Sequence, residues 1–150
     1  MVKAAPKISK NIKDTEKIAE AFLRELAEKK HAKAAVVGLY GDLGAGKTAF
    51  VKHAAKLLGV TRKVSSPTFV IMKKYPLKGK AHKTLFHIDA YRLKNEKEIE
   101  ILGWKDIISS KENLIFIEWP ERVQKAMPKG HSRIAIAHAK DGGRVFKVKI

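Results

Sequence analysis

Gly41-Asp42-Leu43-Gly44-Ala45-Gly46-Lys47-Thr48 sits between the apolar run Ala34–Tyr40 and the segment KTAFVKHAAKLLG, and this arrangement decides the fold. The octapeptide fits G-x-x-x-x-G-K-(S/T), in which glycines let backbone amides turn inward around phosphate oxygens. The run before it is short, mostly apolar and β-branched at its centre, as expected of a strand buried on both faces. The segment after it carries Phe50, Ala54, Leu57 and Leu58 on one helical face and stops at Gly59, a natural residue beyond a helix end. Strand, glycine loop and helix in this order separate a phosphate-binding loop from a glycine-bearing surface loop that fits by chance. The expectation is ATP bound with magnesium. Gly44 and Gly46 permit close backbone approach, the helix start aims its positive end at the phosphates, Lys47 reaches the β and γ groups, and Thr48 ligates the metal.

Outward from the loop, Ile18, Phe22, Leu23 and Leu26 recur at helical spacing, with Asp14 or Thr15 placed to cap the first turn. Thr68–Tyr75 and Thr84–Ile88 read as strands bracketing a Lys78–Lys83 turn. Asn95 with Glu98 resembles a capping box for a short helix closing near Gly103. Leu114–Ile117 is a further buried strand, and Arg133–Ala139 pairs with Arg144–Ile150 across Asp141-Gly142-Gly143 as a hairpin. The fold class is α/β: a three-layer P-loop NTPase-like fold whose mixed sheet has a parallel centre and added antiparallel strands. At 150 residues, one domain over 1–150 is expected.

Composition narrows the class. With no cysteine, disulfide frameworks, thiolate metal sites and thiol nucleophiles are excluded. No apolar run approaches the ~20 residues that cross a bilayer, and Met1–Lys13 is basic without the pattern of a secretory signal; a cytoplasmic protein is expected. Lys and Arg number 32 against 15 Asp and Glu, a formal charge of +17. Such a field attracts polyanions, RNA among them, but a lysine-rich solvated surface with no specific partner carries the same charge.

Hydrolysis needs a carboxylate beside the metal or the attacking water, at the end of a neighbouring strand. Glu118 follows Leu114-Ile115-Phe116-Ile117 and Asp89 follows Leu85-Phe86-His87-Ile88, so both fall where open α/β sheets place their ligands. The alternative for either is a surface ion pair with Arg92 or Arg122; with the loop present, Glu118 is preferred for the metal. Ser65-Ser66-Pro67-Thr68 allows two readings: hydroxyls reaching the γ-phosphate or its magnesium, or a proline turn capped by Ser66. The six histidines show no pair at ligand spacing with a carboxylate third, and His82 and His87 would face opposite ways in one strand.

The order of motifs resembles the TsaE family, small bacterial ATPases needed for threonylcarbamoyladenosine modification of tRNA. The match runs through GDLGAGKT (Gly41–Thr48), SSPTF (Ser65–Phe69), HIDAYRL (His87–Leu93), LGW (Leu102–Trp104) and IEWPE (Ile117–Glu121), covering most of the chain. The resemblance implies ATP at Gly41, Asp42, Leu43, Gly44, Ala45, Gly46, Lys47 and Thr48, with Ala49 adjoining, and magnesium at Thr48 and Glu118. It implies a catalytic set of Lys47, Glu118, Asp89 and Thr68, adds Thr15 and Arg144 as nucleotide contacts, and points to TsaD and TsaB as partners whose cycle the ATPase resets. Ala49 departs from a threonine frequent in the family. The strong positive charge is unusual there and leaves direct tRNA contact open.

Two other functions compete. A small-molecule kinase shares the loop but usually closes an arginine-bearing lid, and no lid insertion is visible; a GTPase would carry Asn-Lys-x-Asp, which is absent. A nucleic-acid binding module with a vestigial nucleotide site would use the +17 charge, yet aromatics make up only 7% of the chain and are not interleaved with lysines as stacking requires.

Overall fold

The computed structural model describes residues 5–79 and 81–150; the first four residues of the basic start, and Lys80 within the expected Lys78–Lys83 turn, lie outside them. In chain order the elements are β1 (Lys7–Ser9), α1 (Ile12–Glu28), β2 (Ala35–Tyr40), α2 (Lys47–Leu57), β3 (Met72–Pro76), β4 (Thr84–Asp89), α3 (Glu96–Ile101), α4 (Trp104–Ser109), β5 (Asn113–Glu118), a 3-10 helix (Pro120–Ala126), β6 (Ser132–His138) and β7 (Arg144–Lys149). Among the described residues the strands form one sheet in the order β1-β7-β6-β2-β5-β4-β3. β6, β2, β5 and β4 run parallel, while β3, β7 and β1 are added antiparallel. This is the mixed sheet with a parallel centre that the sequence predicts.

Strand alternation divides the core into two layers. Val37 and Leu39 of β2, Leu114 and Phe116 of β5 and Leu85 of β4 pack under α1 and α2. Their neighbours Val36, Ile115, Ile117, Phe86 and Ile88 pack under α3, α4 and the 3-10 helix. Phe50 of α2 anchors the first layer, its ring 6.1 Å from Phe22, 6.3 Å from Phe116 and 5.9 Å from Phe146. Burying such an aromatic removes 150–250 Å² or so from water, and Phe50→Ala would cost about 3–5 kcal/mol.

Several expectations shift. The cap of α1 is Asn11, whose side chain accepts from the Asp14 amide at 2.9 Å, so neither Asp14 nor Thr15 holds that position. Asn95 does cap α3 by accepting from the Lys97 amide at 3.0 Å, while Glu98 reaches back to the Lys94 amide at 2.7 Å. The strand expected from Thr68 begins only at Met72. The Pro67 carbonyl accepts the amides of Val70 and Ile71, and Ile71 has φ +70°; a closed turn with a left-handed residue cannot join a ladder. β1 and α4 are additions, three and six residues long, too short for periodicity to reveal.

Candidate functional site

Because β2, β5 and β4 are parallel, their last residues Tyr40, Glu118 and Asp89 emerge at one edge, and Asp89 lies in register beside Glu118. The loop leaves that edge at Gly41. There a Cβ would sit 2.4 Å from the Ile136 carbonyl oxygen, so only glycine lets the loop pass β6. Gly46 precedes α2 with φ +112° and offers no side-chain cap, so the first amides of the helix face outward as donors without a partner from their own helix. Gly44 and Gly46 border open space, with nothing within 4 Å of an added Cβ. An uncapped helix start opening on free space fits a phosphate group.

Lys47 is 5% exposed. Its ammonium donates to the carbonyls of Gly41 and, at 3.0 Å, Asp42, and sits 4.0 Å from the centroid of the Trp119 ring. Burial pushes its pKa below the ordinary lysine value, while the carboxylates of Glu118, Glu121, Asp89 and Asp42 oppose the shift. A cation held partly dehydrated among carbonyls is poised for a stronger anionic partner.

Thr48 Oγ1 lies 2.9 Å from both oxygens of Glu118. Glu118 is 3% exposed and its Oε2 also meets His87 Nε2 at 2.6 Å. A carboxylate only accepts, so the imidazole donates from Nε2; its Nδ1 is buried without a partner among the described residues. Asp89 accepts from Thr68 Oγ1 at 2.9 Å and from the Tyr91 amide at 3.0 Å. Ser66 Oγ lies 2.6 Å from Thr68 Oγ1 and 3.4 Å from the Thr68 amide. The turn reading holds: Ser66 Oγ accepts the Thr68 amide behind Pro67, and the turn sets the Thr68 hydroxyl on Asp89. Neither carboxylate pairs with Arg92 or Arg122, whose guanidinium groups lie over Phe69 at 4.8 Å and Tyr91 at 5.3 Å.

Arg144 reaches the loop directly, donating from Nε to the Ala45 carbonyl at 2.9 Å. Thr15 stands farther off: it bonds Ser9 Oγ at 2.6 Å, and Ser9 is in register with Arg144 across β1 and β7. Asp42, Leu43 and Ala49 have exposed side chains, so the loop uses Asp42 through its backbone. Within this set Lys47, Thr48, Glu118, Asp89 and Thr68 converge, Arg144 braces the loop, and Thr15 is linked to it through Ser9.

Sequence reasoning passed over His87 and Trp119. His87 carries a usable signal, since alternation along β4 puts it on the face of Asp89 and of Glu118 in the adjacent strand. Trp119 adopts φ +57° between the strand-end carboxylate and Pro120, a strained state for a bulky residue, which residue spacing does not signal. If magnesium binds here, Glu118 and Thr48 supply only part of an oxygen shell, and the phosphates and water complete it, as is usual for this ion.

The model of the family described as "Threonylcarbamoyl adenosine biosynthesis protein TsaE" matches residues 9–146. The chain is similar to the tRNA threonylcarbamoyladenosine biosynthesis protein TsaE of Bacillus subtilis, 39% identical over 109 residues, 73% of this chain and 65% of that protein's length. It is similar also to the protein of the same name from Treponema pallidum, 33% identical over 94% of this chain and 97% of the relative. The crystal structure of YdiB from Bacillus subtilis superposes with a TM-score of 0.72 at 31% identity, covering 99% of this chain and 86% of that one. The chain therefore belongs to the TsaE family, the P-loop proteins of threonylcarbamoyladenosine biosynthesis.

Proposed function

We propose that this chain is a single-domain, cytoplasmic ATPase that hydrolyses ATP to ADP and phosphate in support of threonylcarbamoyladenosine modification of tRNA, working with TsaD- and TsaB-like partners. The observation that carries this reading is the Thr48 hydroxyl set against both oxygens of a buried Glu118, one residue beyond Lys47. Magnesium held by Thr48 and Glu118 would neutralise charge on the β and γ phosphates. Lys47 gives up the Gly41 and Asp42 carbonyls for the phosphates, and the first amides of α2 bind their oxygens. His87 fixes the rotamer of Glu118 through the 2.6 Å contact. Asp89 orients Thr68 towards the attacking water. Little covalent chemistry is asked of the protein, so catalysis rests on positioning and charge.

The test is phosphate release with ATP and with GTP, in the presence and absence of magnesium, for the wild type, Lys47→Ala and Glu118→Ala. The expected result is magnesium-dependent turnover of ATP over GTP that collapses in both variants. Turnover retained in both overturns the site assignment, and phosphate transferred to an acceptor instead of water identifies a kinase.

A further inference from the structure

Opposite the nucleotide loop, where β4 and β5 begin, lies a cavity of about 330 Å³ lined by the end of α1 and by the segments entering these strands. Its polar walls are Lys29, His31, His82, Lys83, Lys111 and Glu112. Three lysines and two imidazoles against one carboxylate make a wall built for an anion. The imidazole rings stand 6.4 Å apart, and His31 Nε2 and His82 Nδ1 are buried without a hydrogen-bond partner among the described residues. Buried polar atoms normally find partners, so these two ring nitrogens have hydrogen-bonding capacity that the protein's own groups leave unused, and each donates once its ring is protonated.

We propose that this cavity is a phosphate-recognition site for the RNA backbone, separate from the nucleotide loop. Three observations favour RNA. The formal charge of +17 gives the chain the positive field that a polyanion seeks. The family acts in tRNA modification. And β4 and β5 are each six residues long, which puts about 20 Å between the two edges of the sheet, so RNA and ATP bind without competing for one site.

Protonation couples to this binding. Burial and the neighbouring His31 hold His82 below its ordinary pKa, against a backbone hydrogen bond to Lys111 that raises it. Lys29, Lys83 and Lys111 add like charge to the wall, and Glu112 alone offsets them. A phosphate supplies the counter-charge, so binding takes up a proton and tightens as the pH falls into the acid range below the ordinary imidazole value.

The test measures the affinity of fluorescently labelled tRNA at several salt concentrations, with and without magnesium ATP. Lys83→Glu/Lys111→Glu is compared with an equal charge change on the far edge, Lys147→Glu/Lys149→Glu; all four lysines are exposed, so folding survives, as a melting curve checks. The cavity pair should weaken binding about 10-fold or more and flatten the logarithmic salt slope by roughly two units, with ATP turnover unchanged and the far pair affected much less. His31→Ala/His82→Ala should abolish the tightening at low pH. Equal losses in the two lysine pairs would show diffuse attraction and overturn the proposal. So would inorganic phosphate or AMP shifting the His31 and His82 NMR signals while the cavity variants leave tRNA affinity intact.

Discussion

The nucleotide edge is made of two unlike halves. One is the loop from Gly41 to Thr48 with Glu118, held by strand ends and a helix start. The other is Ser65–Ile71, an irregular turn in which Phe69 is 84% and Val70 59% exposed. Lys47 and Glu118 are buried and multiply bonded. Thr68 touches the rigid half through one hydroxyl on Asp89. The first half is preorganised by the packing of the sheet. The second is attached at a few polar points, and under the proposed function it would rearrange around a phosphate as switch segments do.

If this division is real, mutational effects should fall off from the rigid half to the irregular one. Lys47→Ala and Glu118→Gln should each lower turnover about 100-fold or more, as loss of a preorganised charge-stabilising group does. Because burial lowers the pKa of Lys47, its charge and the ATP affinity it supports should be lost on raising the pH sooner than for an exposed lysine; an ATP titration across alkaline pH checks this. Asp89→Asn, at the junction of the halves, should cost about 10- to 100-fold in steady-state turnover.

His87→Leu should lower turnover about 10-fold by loosening Glu118, with a right shift in the magnesium dependence that a purely structural defect would not give. Thr68→Ala should cost less than Asp89→Asn, since one neutral hydrogen bond is worth about 0.5–1.5 kcal/mol. A loss as large as that of Lys47→Ala would break the division. Phe69→Ala should leave stability within about 0.5 kcal/mol of the wild type in denaturant melts, against the several kcal/mol expected at Phe50.

The same division governs what could be read in the sequence. The loop, α2 and the strand-end carboxylates were legible because each lies on a regular element whose period fixes the direction of its side chains. Thr68–Ile71 reads as the beginning of a strand because its β-forming residues Thr68, Phe69, Val70 and Ile71 suit a sheet locally, but the turn closed on Pro67 overrides them. His87 was passed over because a lone histidine was weighed as a metal ligand, when its place is behind a carboxylate. The Ser9 link between Thr15 and the strand of Arg144 depends on β1 meeting β7, a pairing between the two ends of the chain that no local pattern announces.

The most direct test of the preorganised edge is a crystal structure with magnesium and a non-hydrolysable ATP analogue. The account predicts Lys47 Nζ moved from the Gly41 and Asp42 carbonyls to the β and γ phosphates, Thr48 and Glu118 at the metal, and the backbone of Gly41–Thr48 little changed while Ser65–Ile71 shifts. A nucleotide bound elsewhere, or a loop that must refold while Ser65–Ile71 stays still, would contradict it.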